Sequence, residues 1–323
     1  MSRAEVEALL DLDALIDALA AAMVDLSAGR ASVPHRVAAE VPEVEGALLA
    51  MPAFLPSAGA LTTKLVSLFP RNTDRPTHQA VIVCFDPATG TPVAAMDGTA
   101  ITELRTAACS ALSARLLAPD DVRVLAVLGT GVQARAHGRL VPRVRSFERV
   151  VVAGRDAGKA RALARDLSAE LGLPAEVASF EEAVRQGDVV CACTHSPEPV
   201  VRRAWLREGA HVTSVGFNTA GREVDGETVR DALVVVESRE AALAPPPAGS
   251  NDLLWPIRDG LITADHVHAE LGELVAGTRP GRTSPERITL YKSVGNAVED
   301  AAAAALVLRE ARRRGAGTEL DLG

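Results

Sequence analysis

The run Gly129-Thr130-Gly131-Val132-Gln133-Ala134 constrains the fold of this chain more than any other feature, because of what lies on either side of it. Val122-Arg123-Val124-Leu125-Ala126-Val127-Leu128 is a short, nearly continuous apolar run that reads as a buried strand, and a helical pattern opens at about Val132. A G-x-G-x-x-G/A pattern between strand and helix is the turn on which a dinucleotide pyrophosphate rests. The first glycine permits the tight turn, and the second lets backbone approach the phosphates. Ala134 stands where the helix packs on the strand. A glycine-rich turn in an α/β unit that binds nothing is the alternative.

Elements of the same kind continue the pattern. Val150–Ala153, Asp188–Ala192 and His211–Val215 read as strands and Ala157–Leu171 as a helix, joined by short loops. Alternating β and α elements with apolar strands imply a parallel sheet covered on both faces, a Rossmann-type domain. A chain of 323 residues is long for one core, so a second domain is expected. Its texture differs. From Arg36 to Phe85 short β-like runs broken by Pro and Gly read as an antiparallel segment. A helix follows from Thr99 or Thr102 to about Leu117 and is closed by Pro119-Asp120-Asp121. The first 30 residues read as one amphipathic helix, Ala244–Ser250 as a proline-stiffened connector, and Thr263–Ala276 as a capped helix stopped by Gly277. On that helix His266 and His268 are surface residues. The last helix spans about Asn296 to Arg314, with Arg312-Arg313-Arg314 as its solvated end.

Composition removes several function classes. A net charge of −8 and a lone basic triplet exclude a phosphate-backbone reader, so no nucleic-acid partner is expected. No uncharged apolar stretch approaches the roughly 20 residues of a membrane span. Glu5, Glu7, Asp11, Asp13 and Asp17 keep the opening segment from acting as a signal peptide, and a cytoplasmic protein is expected. Cys84, Cys109, Cys191 and Cys193 form no CxxC pair and read as small buried residues; no metal site is expected.

Of 34 basic residues all but Lys64, Lys159 and Lys292 are arginine. A lysine surviving at a half-buried position hints that its compact ammonium matters. Strand alternation places Lys64 among apolar neighbours, Thr62, Val66 and Leu68 on its own face. A desolvated lysine needs an anion, and its pKa falls on burial, which suits proton transfer. An edge-strand lysine that blocks aggregation is the alternative. Arg105 lies one turn into its helix on the face of Ala108, Cys109 and Leu112. A cation near a helix N-terminus expects an anion, either a ligand carboxylate or phosphate or a protein Asp or Glu. Arg36 reads as a loop arginine. At the second strand tip Gly154 fills the usual acid position and Arg155 follows, which favours NADPH; Asp156, one residue on, leaves NADH open.

Leu61–Val66, His78-Gln79-Ala80, Met96-Asp97-Gly98, Ile101-Thr102 and Arg105–Ala108 join with Gly129–Ala134, Ser238–Leu243, Gly272-Glu273-Leu274 and Lys292–Asp300 in a pattern that spans nearly the whole chain. Together they resemble the ornithine cyclodeaminase/mu-crystallin family, most closely its ketimine reductase branch. The resemblance implies a Rossmann NAD(P)-binding domain (119–291) inserted into an α+β substrate and dimerisation domain (1–118 with 292–323), in a homodimer. It implies that Arg36, Lys64 and Arg105 hold a substrate carboxylate, with Lys64 and Arg105 catalytic. Thr77, His78, Arg105 and Thr106 are expected at the nicotinamide end, and Gly129, Thr130, Gly131, Val132 and Gln133 at the pyrophosphate. Gly154, Arg155 and Asp156 are expected at the adenosine ribose. Thr194, His195, Val215 and Ser293 would complete the cofactor cleft, and Asn218 and Val294 would meet substrate.

Cyclodeaminases of the family place an aspartate at the position matched to Asn218. An amide orients a group but carries no proton at neutral pH. The resemblance therefore implies an NAD(P)H-dependent reductase of α-imino acids, such as pyrroline-2-carboxylate or piperideine-2-carboxylate, with amino or imino acids as its small-molecule partners. Ornithine cyclodeaminase or alanine dehydrogenase activity, or a non-catalytic crystallin-like binding role, are the alternatives.

Overall fold

The computed structural model describes residues 1–245 and 248–319. The chain divides into two compact units, Met1–Arg105 with the segment from Asn296, and Thr106–Gly295. It opens with α1 (Arg3–Leu9) and α2 (Leu12–Ser27), capped by Ser2 and Asp11. The single opening helix read from the sequence is thus two helices. Asp11 accepts a hydrogen bond from the Ala14 amide at 2.8 Å, and a capping aspartate starts a new helix more favourably than it continues an old one.

Five strands follow: β1 (Val37–Val41), β2 (Gly46–Leu55), β3 (Ala60–Leu68), β4 (His78–Phe85) and β5 (Pro92–Asp97). They form an antiparallel sheet in sequential order, as the Arg36–Phe85 pattern anticipated, with β3 at its centre. Helix α3 (Gly98–Leu117) comes next, and the division between the units falls inside it.

The second unit continues with β6 (Val124–Leu128), α4 (Val132–Leu140), β7 (Arg149–Ala153), α5 (Ala157–Leu171), β8 (Ala175–Ala178), α6 (Phe180–Gln186), β9 (Val189–Ala192) and β10 (His211–Ser214). Then come α7 (Gly226–Asp231), β11 (Leu233–Val236), α8 (Arg239–Ala242), α9 (Asn251–Arg258), β12 (Val267–Glu270), α10 (Leu271–Val275) and β13 (Thr289–Lys292). Helix α11 (Ala297–Arg314), capped by Asn296, returns to the first unit.

In the first unit, alternation along β3 buries Ala60, Thr62, Lys64 and Val66 on one face, and α11 packs against β2, β3 and α2. Ala301, Ala302, Ala303 and Ala304 are all buried, and their short side chains let the helix approach closely. In the second unit all strand pairings are parallel, in the order β12-β11-β13-β10-β9-β6-β7-β8. Strands β6, β9, β10, β11 and β13 are buried along their whole length, as a sheet covered on both faces requires.

The helix expected over Thr263–Ala276 is instead a 3₁₀ turn (264–266), strand β12 and the short α10. Val267 and Ala269 are buried while His268 and Glu270 are half-exposed, a period of two, and β12 pairs with β11. Pairing to an existing sheet overrides local helical signals. His266 therefore closes the 3₁₀ turn and His268 lies on β12; their Nε2 atoms lie 2.8 Å from the Val229 carbonyl and 2.9 Å from that of Pro280. Of the expected proline connector, Pro246 and Pro247 lie outside the described residues, while α8 ends before it and α9 starts just after it. No described helix is long and apolar enough to cross a membrane, and no described group of His, Cys, Asp and Glu is arranged to hold a metal.

Candidate active site

The sheet of the second unit changes direction beside β6. From there the chain builds outward through β7 and β8, then returns to lay β9 on the other flank. Ligands of open parallel sheets bind beyond the carboxyl ends of the strands at such a switch point. Gly129 follows β6 there and Cys193 and Thr194 follow β9. Gly129 has φ +115°, and a Cβ on it would lie 2.5 Å from the Cys193 carbonyl oxygen, so only glycine fits. Gly131 is the N-cap of α4, no side chain caps the helix there, and nothing stands within 4 Å of where its Cβ would be. Open backbone over an uncapped helix N-terminus suits a pyrophosphate. The sequence-expected Gly129, Thr130, Gly131, Val132, Gln133, Gly154, Arg155, Asp156, Thr194 and His195 all line one cleft of about 640 Å³.

At the tip of β7 a Cβ on Gly154 would come within 2.6 Å of the Thr130 Cγ2, so an acidic side chain has no room without displacing that threonine. Asp156 is the N-cap of α5: one carboxylate oxygen accepts from the Gly158 and Lys159 amides at 2.8 and 3.0 Å. Those amides, with nearby Lys159 and Arg161, hold its pKa below the usual carboxylate value. Arg155 is exposed on the lining, with Lys159 beside it.

The first unit holds a cluster of buried charges. Lys64 on β3 and Arg105 on α3 face Glu299 and Asp300 in the first turn of α11. Lys64 Nζ lies 2.6 Å from Asp300 Oδ2; Arg105 lies 2.7 Å from Glu299 and 3.2 Å from Asp300. All four are buried. Burial lowers the Lys64 pKa, Asp300 works against that shift and Arg105 adds to it. The Lys64 ammonium meets only one other acceptor among the described residues, Thr102 Oγ1 at 3.5 Å, and so keeps hydrogen-bonding capacity to spare. β3 is a central strand, which removes the edge-strand reading of Lys64. His78, half-buried at the start of β4, has its pKa lowered by burial and then by Lys64 and Arg105.

The remaining expected residues are more scattered. Arg36 precedes β1 and is half-buried, and Thr77 is exposed just before β4. Thr106 is buried on α3. Val215 and Ser293 directly follow β10 and β13, their amides donating to the Ala192 and Ser214 carbonyls. Asn218 donates through Nδ2 to the His195 carbonyl at 3.0 Å and accepts from the Ala220 amide at 2.8 Å, which ties its loop to the rim of the cleft. The Val294 amide donates to Glu237.

Sequence reasoning did not single out Glu299 and Asp300, although both stand in the Lys292–Asp300 run. It also passed over Glu223 and Asp252, which with Lys292 form a second buried charge cluster. The scarcity of lysine was the available signal for Lys292.

The profile of the ornithine cyclodeaminase/mu-crystallin family matches residues 1–315. The chain belongs to that family. Among its relatives, the ketimine reductase mu-crystallin of Mus musculus is 38% identical over 299 residues, covering 91% of this chain and 90% of that protein. The structure of Thermococcus litoralis Delta(1)-pyrroline-2-carboxylate reductase in complex with NADH and L-proline superimposes with a TM-score of 0.94, at 39% identity and 99% coverage of both chains. An archaeal alanine dehydrogenase dimer with bound NAD gives 0.93 at 32% identity, covering 100% of this chain and 98% of that one. The resemblance read from the motifs thus holds for the whole course of the chain, and the α/β fold with a Rossmann-type parallel sheet is that of the family.

Proposed function

We propose that this protein is an NAD(P)H-dependent reductase of α-imino acids, of the pyrroline-2-carboxylate or piperideine-2-carboxylate kind, yielding the amino acid. The observation that carries the reading is Lys64, a buried ammonium with a hydrogen-bond donor in hand, set beside Arg105. Relatives named for imine reduction support it. The unit holding Lys64 and Arg105 takes the substrate, and these two cations with Arg36 bind its carboxylate. Lys64 directs an N–H at the imine nitrogen and supplies the proton that nitrogen gains, a role its lowered pKa favours. When bound, the nicotinamide supplies the hydride for the imine carbon. Asp300 and Glu299 keep both cations charged in the interior.

The second unit holds the cofactor. Gly129–Gln133 take the pyrophosphate, with Thr194, His195, Val215 and Ser293 around the cleft and Thr106 toward the nicotinamide. Arg155 beside a glycine-tipped strand favours the 2′-phosphate of NADPH over NADH, while Asp156 is engaged in capping α5.

We propose a homodimer, and the outer face of the antiparallel sheet supports it. Val37, Ala50, Leu65 and Val81 stand in register in one row across four strands, and Val37 is 66% exposed. An apolar row of this kind on a sheet is suited to burial against a second copy.

The test is a panel of cyclic and linear ketimines and of amino acids, each assayed with NADPH and NADH. Ketimine-dependent oxidation of NADPH is expected, with little or no ammonia from ornithine and NAD, because Asn218 lacks the carboxylate for that proton handling. Proline and ammonia formed from ornithine at a rate like that of ketimine reduction would overturn the assignment in favour of a cyclodeaminase.

A further inference from the structure

The reductase reading leaves the second buried cluster without a task. Glu223 is 3% exposed, and its carboxylate accepts four hydrogen bonds. One oxygen takes the Thr194 amide at 2.6 Å and the Thr194 hydroxyl at 2.7 Å; the other takes the Ser214 hydroxyl at 2.8 Å and the Gly216 amide at 2.9 Å. Lys292 lies behind it. Its ammonium donates to Asp252 at 2.9 Å, to Ser214 Oγ at 3.1 Å and to the Gly216 carbonyl at 2.7 Å. Asp252 in turn accepts the Glu223 and Val224 amides, both at 2.8 Å.

Thr194 lies just past the end of β9 and lines the dinucleotide cleft. Gly216 lies just past the end of β10 and opens the loop that carries Asn218. A Cβ on Gly216 would lie 2.4 Å from the Thr194 carbonyl oxygen and 2.5 Å from Glu223 Oε2, so the two strand ends are drawn together with no space between. We propose that Glu223, held in place by Lys292, is the positioning residue that fixes the Thr194 wall of the cleft for the nicotinamide cofactor, by tying it to the strand end at Gly216. This rests on the reading of the Gly129–Gln133 cleft as a nicotinamide cofactor site.

The hydrogen bonds favour the ionised form. A backbone N–H faces each carboxylate oxygen, and neither N–H can turn away or become an acceptor. Burial pushes the Glu223 pKa up, Lys292 pulls it back, and Asp252 raises it; Cys193 is the other titratable group at this carboxylate. In Glu223→Gln, whichever way the amide is flipped, its NH₂ confronts either the Thr194 or the Gly216 amide. The substitution keeps shape and volume and breaks the tie between Thr194 and Gly216 at one end.

The experiment titrates NADPH and NADH fluorescence against wild type, Glu223→Gln and Ser214→Ala, and measures KM for cofactor and for pyrroline-2-carboxylate separately. Glu223→Gln is expected to raise the Kd and KM for cofactor about tenfold or more, as a buried unsatisfied donor does, with KM for the imine within about twofold. Ser214→Ala removes a neutral link and leaves both charges, so a rise of about threefold is expected; if Glu223→Gln does not fold, this variant decides the matter. Cofactor affinity within about twofold of wild type in the folded variant, or equal rises in both KM values, overturns the positioning role. Failure of wild type to bind either cofactor is a different result: it overturns the reading of the cleft and this proposal with it.

Discussion

Two of the three lysines end in the interior, one in each unit, and they spend their donors differently. Lys292 is surrounded by three acceptors, the Asp252 carboxylate, the Ser214 hydroxyl and the Gly216 carbonyl, which satisfy all three of its hydrogens. Lys64 has Asp300 at 2.6 Å and Thr102 at the long distance of 3.5 Å, and no third acceptor among the described residues. Both are buried and both face a carboxylate, so neither property separates the lysine proposed to meet substrate from one that braces the framework. The count of satisfied donors does. A saturated ammonium has nothing to offer a ligand, whereas an incompletely bonded one in a dry interior gains most when an anion or an imine nitrogen arrives.

The contrast is sharpest in the two methionine variants. Lys64→Met keeps length and packing but removes charge and proton, and Arg105 still faces Glu299 and Asp300, so the fold is expected to survive. Loss of a charged contact of this kind costs roughly 2–5 kcal/mol, some tens to thousands of fold in kcat/KM. Lys64→Arg should restore little, since a guanidinium is bulkier and holds its proton. Retention of most kcat/KM on every ketimine tried would reduce Lys64 to a second framework lysine. Lys292→Met should act on stability instead: it strands Glu223 and Asp252 without their cation, a defect of about 3–5 kcal/mol. Urea unfolding measures it, and an unchanged midpoint would break the distinction.

How far these sites could be read from the chain follows from how local their causes are. Gly129–Ala134 was legible because turn, phosphate approach and helix packing each impose a residue type within six consecutive positions. Lys64 stood out through strand alternation and through rarity. The partners of Arg105 were not legible, for Asp300 stands 195 residues away, and only the return of α11 to the first unit makes them neighbours. Glu223 has no local signature either, since its four donors come from the ends of β9 and β10. Strand β12 was misread because Thr263 and Gly277 look like helix ends, while its edge pairing with β11 is set by distant chain.

Acid should separate the units less strongly. The second unit buries two neutral histidines. His137 Nδ1 donates to the Gln133 carbonyl at 2.7 Å and its Nε2 lies 2.8 Å from Ser110 Oγ; His211 lies between Ser113 and Thr289. Burial pulls their pKa values from 6.5 down to about 4 and about 3. The unfolded chain therefore binds protons that the folded unit does not. Stability is fully present above pH 6.5 and falls on acidification, by about 1.4 kcal/mol per pH unit per histidine, until each folded pKa is reached. Hydrogen exchange at pH 7 and pH 5 should show protection lost preferentially in the second unit. Equal loss in the antiparallel sheet of the first unit would count against it.

The smallest expected effect lies at the cofactor's outer end, where exposure weakens every charge. Arg155 is solvent-exposed on the cleft lining, next to a strand tip where Gly154 leaves no room for the acid that would hold a ribose 2′-hydroxyl. Asp156 has committed one oxygen to the Gly158 and Lys159 amides. A 2′-phosphate would then meet Arg155, and Lys159 stands on the same lining as a second cation. In contrast to Lys64, neither is desolvated, and an exposed guanidinium contact with phosphate contributes about 1 kcal/mol. Arg155→Ala should therefore raise the KM for NADPH by about fivefold and leave that for NADH nearly unchanged. Adding Lys159→Ala should widen the gap, and raising the salt concentration should narrow it, because screening acts on exposed pairs. Equal changes for the two cofactors would show that Arg155 does not see the 2′-phosphate, and would shift the preference to NADH through the free oxygen of Asp156.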